Sequence, residues 1–311
     1  MIRSLPLPVA RRRVEGFRLG TAVASIAAPT VLVLIVALLA VQSWPAISRF
    51  GPRFLTANAW DPVRESFGAL PFILGTLVTS AIALAFALPV GVAVAVFLAE
   101  GRTGGVRGVI GTGVELLAAI PSVVYGLWAL FVMGPFLWLH VEVPISERFG
   151  LIGVLAGPAR QTSVFAASVV LAVMILPTLA AVSRDVIRAV PGGLREAAYA
   201  LGSTWWETTW GVVLPAARAG IFGATVLALG RALGETIAVT MIIGNRRDLP
   251  NHLFQPGYTL ASVIANEFTE ATGRLYPAAL IELALILVLV TLALNLLALL
   301  LVRSAGGTRP A

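Results

Sequence analysis

Six runs of apolar residues, each about as long as the hydrocarbon core of a bilayer is thick, leave this chain few folds to choose from. They cover roughly residues 19–41, 70–98, 114–139, 164–182, 219–243 and 278–302. A membrane-spanning helix needs about 20 apolar residues. Lipid offers no partner to an open backbone, so each run is expected to be helical. The expected fold is therefore all-α, a polytopic membrane protein with six transmembrane helices. At 58% hydrophobic and 12% charged residues, the chain is more apolar than a soluble domain of this length could hide. A signal peptide competes for the first run, but that run exceeds a usual h-region and lacks a small-residue cleavage site. It reads as a retained span.

All 22 basic residues are arginine, and their distribution sets the orientation. The segments 1–18, 99–113, 183–218 and 303–311 hold 13 arginines against 8 in the three opposite loops. Arginine-rich loops stay in the cytoplasm. Both termini and the central loop are thus expected to be cytoplasmic, in a multi-pass protein of the cytoplasmic membrane. The divisions are an N-terminal arm at 1–18, a first helix and outer loop at 19–69, a transmembrane core at 70–302 and a tail at 303–311. The arginines are scattered and form no basic face, which argues against nucleic acid. There is no cysteine, so no disulfide, thiolate metal site or cysteine nucleophile. Without lysine there is no Walker A loop, whose lysine grips nucleotide phosphates. No cofactor is expected in this chain, and any ATP used must be bound by a partner subunit.

Residues 195–221, REAAYALGSTWWETTWGVVLPAARAGI, interrupt the apolar pattern between the fourth and fifth runs. Leu194, Ala197, Ala198 and Leu201 recur at the spacing of one helical face, and Gly202 ends that helix. Thr204 followed by Glu207 has the form of a capping box. It opens a second helix that carries Trp205, Trp206 and Trp210 towards Leu214 and Pro215. The segment thus reads as helix, tight turn, helix. The small alanines admit a close partner, with Arg195 and Glu196 able to pair at the rim, as in helix-in-groove docking. An amphipathic helix lying on the lipid surface has the same spacing.

Within the fifth run, GRALGETIAV places Arg231 and Glu235 four residues apart on one helical face. Ionisable groups at membrane depth cost about 2.5 to 3.5 kcal/mol each on insertion scales, so they pair or face a watery path. An arginine presents a fork of donors suited to an oxyanion, and a nearby glutamate could compete for it and release the anion. An ion pair that only locks helices together fits the same residues. Gly230 and Gly234 form a small-xxx-small step that predicts close helix packing. Glu282, alone in the sixth run, reads either as partner to an arginine or as a neutral core residue. Glu115, at the start of the third run, would complement a helix N-terminus. An intramembrane enzyme is the contrasting class. His140, His252, Asp61, Asp185 and Asp248 fall in loops, and neither HExxH nor GxSxG occurs, so no catalytic or metal-binding residue is assigned.

Glu196, Ala197, Ala198, Gly202, Leu214 and Pro215 resemble the EAA loop of importer-type ABC permeases, which docks into a cleft of the ATPase subunit. Trp205 departs from that pattern, standing where many relatives have a basic residue. AAIPSVVYGLWALFVMGP at 118–135, GRALGETIAVTMIIGN at 230–245 and IANEF at 264–268 resemble the PstC-type permeases of high-affinity phosphate importers. Together these blocks cover most of the chain from residue 70 onward. The resemblance implies ATP-driven phosphate import by alternating access, with Arg231 and Glu235 in the substrate pathway. It implies Arg195, Glu196, Ala197, Ala198, Leu201, Gly202, Leu214 and Pro215 at the ATPase contact. The implied partners are a PstA-type permease, two PstB-type ATPases and a PstS-type phosphate-binding protein. IANEF and residues 269–274 would touch that binding protein, form a gate, or be an ordinary loop. Permeases for molybdate, sulfate or phosphonate are the alternative substrate reading.

Overall fold

A computed structural model describes residues 8–101, 104–150, 152–155 and 157–305, and the described residues contain helices but no strand. In chain order the main helices are α1 (Pro8–Phe50), α2 (Leu70–Glu100), α3 (Gly105–Ala119), α4 (Ser122–Phe149) and α5 (Val164–Arg188). They continue with α6 (Gly192–Ala200), α7 (Trp205–Gly234), α8 (Ile237–Ile242), α9 (Leu260–Glu267) and α10 (Leu275–Ala305). Six of these, α1, α2, α4, α5, α7 and α10, are long and apolar enough to cross a membrane. At 43 residues, α1 is about 65 Å long, roughly twice the hydrocarbon thickness. It takes in most of the expected N-terminal arm; residues 1–7 and the tail after Ala305 lie outside the described residues.

The six expected spans are present, but several boundaries are corrected. The glycine-rich stretch read as a loop up to residue 113 is helix α3 from Gly105 onward. The third span starts at Ser122, after Ile120 and Pro121 turn extended. Glu115 therefore sits inside α3 and not at the start of a span. The fifth span begins at Trp205, because the second helix of the central segment runs on into the membrane without a break. It ends at Gly234, short of residue 243.

Prolines inside these helices leave a visible trace. Three π-helical segments, Ala129–Met133, Trp138–Glu142 and Thr209–Val213, each end two residues before a proline, Pro135, Pro144 and Pro215. A proline ring collides with the carbonyl four residues earlier and cannot donate to it. Widening the preceding turn by one residue relieves that collision and keeps the helix going.

Packing centres on α2 and α5, which lie along each other over most of their length. Ala83, Ala87, Gly91 and Ala95 make a buried row at intervals of four on α2, and such small residues let helix backbones approach closely in lipid. At Gly91 an added Cβ would stand 2.9 Å from Leu179 Cδ2. The α5 helix is the central element, with 67% of its apolar window buried against 0% for α1. Helix α1 leans mainly on α10, and α7 packs on α5, α2 and α10. At the end of the bundle that contains residues 54–72, an aromatic cluster closes the core. Trp60 meets Phe67 and Phe72 edge-on at 4.9 and 5.0 Å, and Phe67 stacks on Tyr276 at 5.5 Å.

Candidate functional site

The central hairpin has the form its sequence predicts. Gly202 takes the left-handed conformation at φ +86°, and the Ser203 and Gly202 amides donate to the Ala198 and Tyr199 carbonyls. That is a Schellman stop to α6. Thr204 then accepts from the Glu207 amide, while the Glu207 carboxylate accepts from the Thr204 amide, completing the capping box. The face of α6 turned away from the bundle carries Leu194, Ala197 and Leu201, the last 88% exposed. Ala198 turns inward and is buried. Glu196 and Pro215 are exposed, and Leu214 is half-buried.

Arg195 is placed differently from expectation. It does not sit at a rim but folds inward onto Glu100, the last residue of α2. Its Nε lies 3.1 and 3.2 Å from the two Glu100 oxygens, and its Nη2 is 2.6 Å from Oε1. The remaining donors reach the Val190 and Ile187 carbonyls at the end of α5, at 2.6 and 2.9 Å. Trp205 Nε1 donates to the Glu100 carbonyl, and Arg188 to that of Leu98. A helix ends with carbonyls that have no intrahelical partner, and a carboxylate at a C-terminus opposes the helix dipole. One arginine answers both at once. It ties α6 to the ends of α2 and α5. The indole of Trp205 supplies a further donor at this joint. Beside it Trp206 and Trp210, with Pro89, Val92, Phe97 and Leu214, line an apolar groove of about 670 Å³.

Arg231 and Glu235 do not share a continuous helical face. Helix α7 stops at Gly234, and Glu235 is extended at ψ 125°. The chain re-enters helix only at α8. Glu235 Oε1 lies 3.5 Å from the Ala238 amide, so its carboxylate faces the first turn of α8, and it makes no ion pair with Arg231 among the described residues. Arg231 is exposed in the single chain and pairs with no carboxylate among the described residues. It lines an open cleft of about 610 Å³ with Thr178, Gly230 and Asn295. Added Cβ atoms at Gly230 and Gly234 would meet nothing within 4 Å. The close packing expected there is not made inside this chain. What holds α8 is α4, where a Cβ on Gly126 would stand 2.5 Å from Met241 Sδ and 3.1 Å from Ala238 Cα.

Three further acids complete the inventory. Glu267, in the IANEF stretch, is 4% exposed and joins three distant segments. It accepts from Trp60 Nε1 at 2.8 Å, Arg247 Nε at 2.8 Å and the Tyr276 hydroxyl at 2.6 Å. Burial alone would lower the Arg247 pKa, but the hydrogen bond and charge of Glu267 raise it above its ordinary value. Burial also pushes the neighbouring Tyr258 hydroxyl up. Glu282 is buried in α10 with one carboxyl oxygen unpartnered, and no arginine pairs with it among the described residues. Glu142 is fully buried near the end of α4 and accepts from the Ser163 hydroxyl at 2.8 Å. Sequence reasoning missed it because the third span was ended at residue 139; a glutamate inside an apolar run was the available signal. No cluster of three potential metal ligands occurs among the described residues.

Against known proteins, a family model described as "Binding-protein-dependent transport system inner membrane component" matches residues 87–306. This chain belongs to that family. Among individual relatives, the permease is 49% identical over 253 residues to the phosphate transport system permease protein PstC of Mesorhizobium japonicum, covering 80% of this chain and 77% of that protein. It is 42% identical over 297 residues to PstC of Haemophilus influenzae, covering 94% of each. These relatives place the permease in the PstC type. Its fold resembles the permease of a bacterial alginate ABC transporter, with TM-score 0.60, 18% identity and coverage of 95% of this chain and 99% of that one. It also resembles the MetNI methionine ABC transporter, with TM-score 0.57, 21% identity and coverage of 81% and 100%. A permease of this family is a transport subunit and not itself an enzyme. It works with separate ATPase and substrate-binding proteins.

Proposed function

We propose that this permease carries inorganic phosphate into the cytoplasm, paired with a PstA-type permease, driven by two PstB-type ATPases and supplied by a PstS-type binding protein. The observation that carries the substrate is its 42% identity to a phosphate permease over 94% of both chains. In this reading the exposed face of α6, with Glu196, Ala197, Leu201 and Gly202, docks into the ATPase. ATP is bound there and not in this chain, and both termini lie on the same cytoplasmic side. Closure of the ATPase pair shifts α6, and Arg195 passes that displacement to α2 and α5 through Glu100 and the α5 carbonyls. Leu214 and Pro215 lie in the helix that carries the motion towards Arg231. ATPase binding drives the switch between inward-open and outward-open states only through its differential affinity for them.

Arg231 is suited to the pathway because its guanidinium is uncommitted to any carboxylate among the described residues and lines the same open cleft as Gly230. An oxyanion passing between two permeases would meet a fork of donors there. Glu235, at the helix break one turn further on, would repel the anion onward. The test is ATP-dependent uptake of radiolabelled phosphate by the reconstituted complex, with sulfate and molybdate as competitors. Suppression by unlabelled phosphate alone, and loss of uptake in an assembled Arg231→Gln complex, are the expected results. Intact uptake in the variant would make Arg231 a packing residue; transport of another anion would remove phosphate as substrate.

A further inference from the structure

A hydroxyl in a membrane helix commonly spends its proton on the carbonyl one turn back, since lipid offers no other acceptor. Thr76, Thr79, Ser168, Thr225 and Thr291 all do so, each donating to the carbonyl four residues earlier at 2.7 to 2.9 Å. Thr178 on α5 does not. Among the described residues neither its hydroxyl nor the side-chain amide of Asn295 on α10 makes a hydrogen bond, and the Arg231 guanidinium makes none either. All three line the one cleft of about 610 Å³, on helices that cross the membrane. Asn295 stands in the run LALNLLALLL, with only leucine and alanine around it. Polar groups at membrane depth are costly and mark pairing or a watery path. These three have no pairing within the chain.

The lining decides what fits. A guanidinium, an amide and a hydroxyl are rich in donors, and no carboxylate lines the cleft. The rest of the wall is Gly223, Val226, Leu227 and Gly230. Gly223 and Gly230 are seven residues apart and share a face of α7, and a Cβ on either would meet nothing within 4 Å. The helix surface beside Arg231 is therefore bare. A cation would find no counter-charge there, and an acyl chain would strand every donor. One positive charge with two neutral donors suits an oxyanion. We propose that Thr178 and Asn295 hold a passing oxyanion together with Arg231, so that three helices build the site. The inference rests on the reading of Arg231 as a pathway residue, and adds to it the two neutral residues that complete the donor set.

The absence of cysteine makes the site easy to probe, because Asn295→Cys or Thr178→Cys places a unique thiol in this chain. The experiment uses the complete importer in lipid nanodiscs, with and without ATP. It compares an anionic reagent, sulfonatoethyl methanethiosulfonate, with a cationic one, trimethylammonioethyl methanethiosulfonate, each rate divided by that with a free thiol. Modification is read by mass on peptides of this chain. Both thiols should react, about tenfold faster with the anionic reagent, as expected where an unpaired charge focuses the field. Adding Arg231→Gln should remove that preference. Leu297 lies about 200° around α10 from Asn295 and is 55% exposed, and Leu297→Cys should stay unmodified. Inorganic phosphate should slow the reaction at both sites more than chloride at the same ionic strength does. In uptake, Asn295→Leu should lower the rate about tenfold, for one lost hydrogen bond to a charged group. Thr178→Cys decides the matter if the Asn295 variants do not assemble. The proposal is overturned if neither thiol reacts in either nucleotide state, which would seal this face against the second permease or lipid. Equal rates for the two reagents, or protection by no oxyanion, also overturn it. Protection by sulfate or molybdate but not by phosphate leaves the site standing and removes phosphate as the substrate.

Discussion

Each end of the bundle is fastened by one buried glutamate, and the two fastenings are built differently. Glu100 meets Arg195, and both side chains are largely buried, 9% and 18% exposed. The other donors of that arginine go to helix-terminal carbonyls, so the joint links one short helix to the ends of two long ones. Glu267 meets Arg247, which is 46% exposed, and takes its other bonds from an indole and a phenol. It gathers the segment before α2, the loop after α8 and the start of α10. In the proposed function the first joint is a strut along which a displacement of α6 would reach two spans. The second is a clasp that holds three connections shut.

Breaking the clasp should have the larger effect on stability. Glu267→Ala strands the Trp60 and Tyr276 donors and leaves Arg247 without its counter-charge. A buried donor left without its acceptor costs about 1 to 3 kcal/mol, so thermal unfolding of the assembled complex should show a marked loss. An unchanged midpoint would mean that the clasp contributes nothing. Breaking the strut should act on coupling first. Arg195→Ala leaves Glu100 unpaired at a helix C-terminus, and ATP hydrolysis by the complex should continue while phosphate uptake falls at least tenfold. If hydrolysis and uptake fall together in proportion, Arg195 serves assembly and not transmission. The smallest effect sharpens the same point. Thr204→Ala removes a cap worth about 1 kcal/mol without touching the strut. It should speed amide exchange at the start of α7 and leave the stoichiometry of transport near wild type.

The local features were legible in the sequence for one physical reason, which is that they depend on neighbours within a turn or two. Gly202 stopping a helix, Thr204 and Glu207 capping the next, and six runs of membrane length follow from spacing and hydropathy. IANEF stood out as a motif, but the role of Glu267 did not, since its partner Trp60 is 207 residues away. The break at Glu235 was hidden as well. No proline marks it, and a continuous helix satisfies the local pattern equally well. The chain turns there, and α8 docks on α4 where Gly126 leaves room for Met241.

By itself, then, the sequence determined that this is an all-α membrane protein with six spans and a capped helical hairpin between the fourth and fifth. Hydropathy and capping act over one helix length, and lipid allows the backbone no other solution. Tertiary structure alone decided that Arg195 turns inward to Glu100, 95 residues away, and that Arg231 and Glu235 part company. A long polar side chain has many rotamers and several partners within reach, and only the packed bundle fixes which buried charge it must answer.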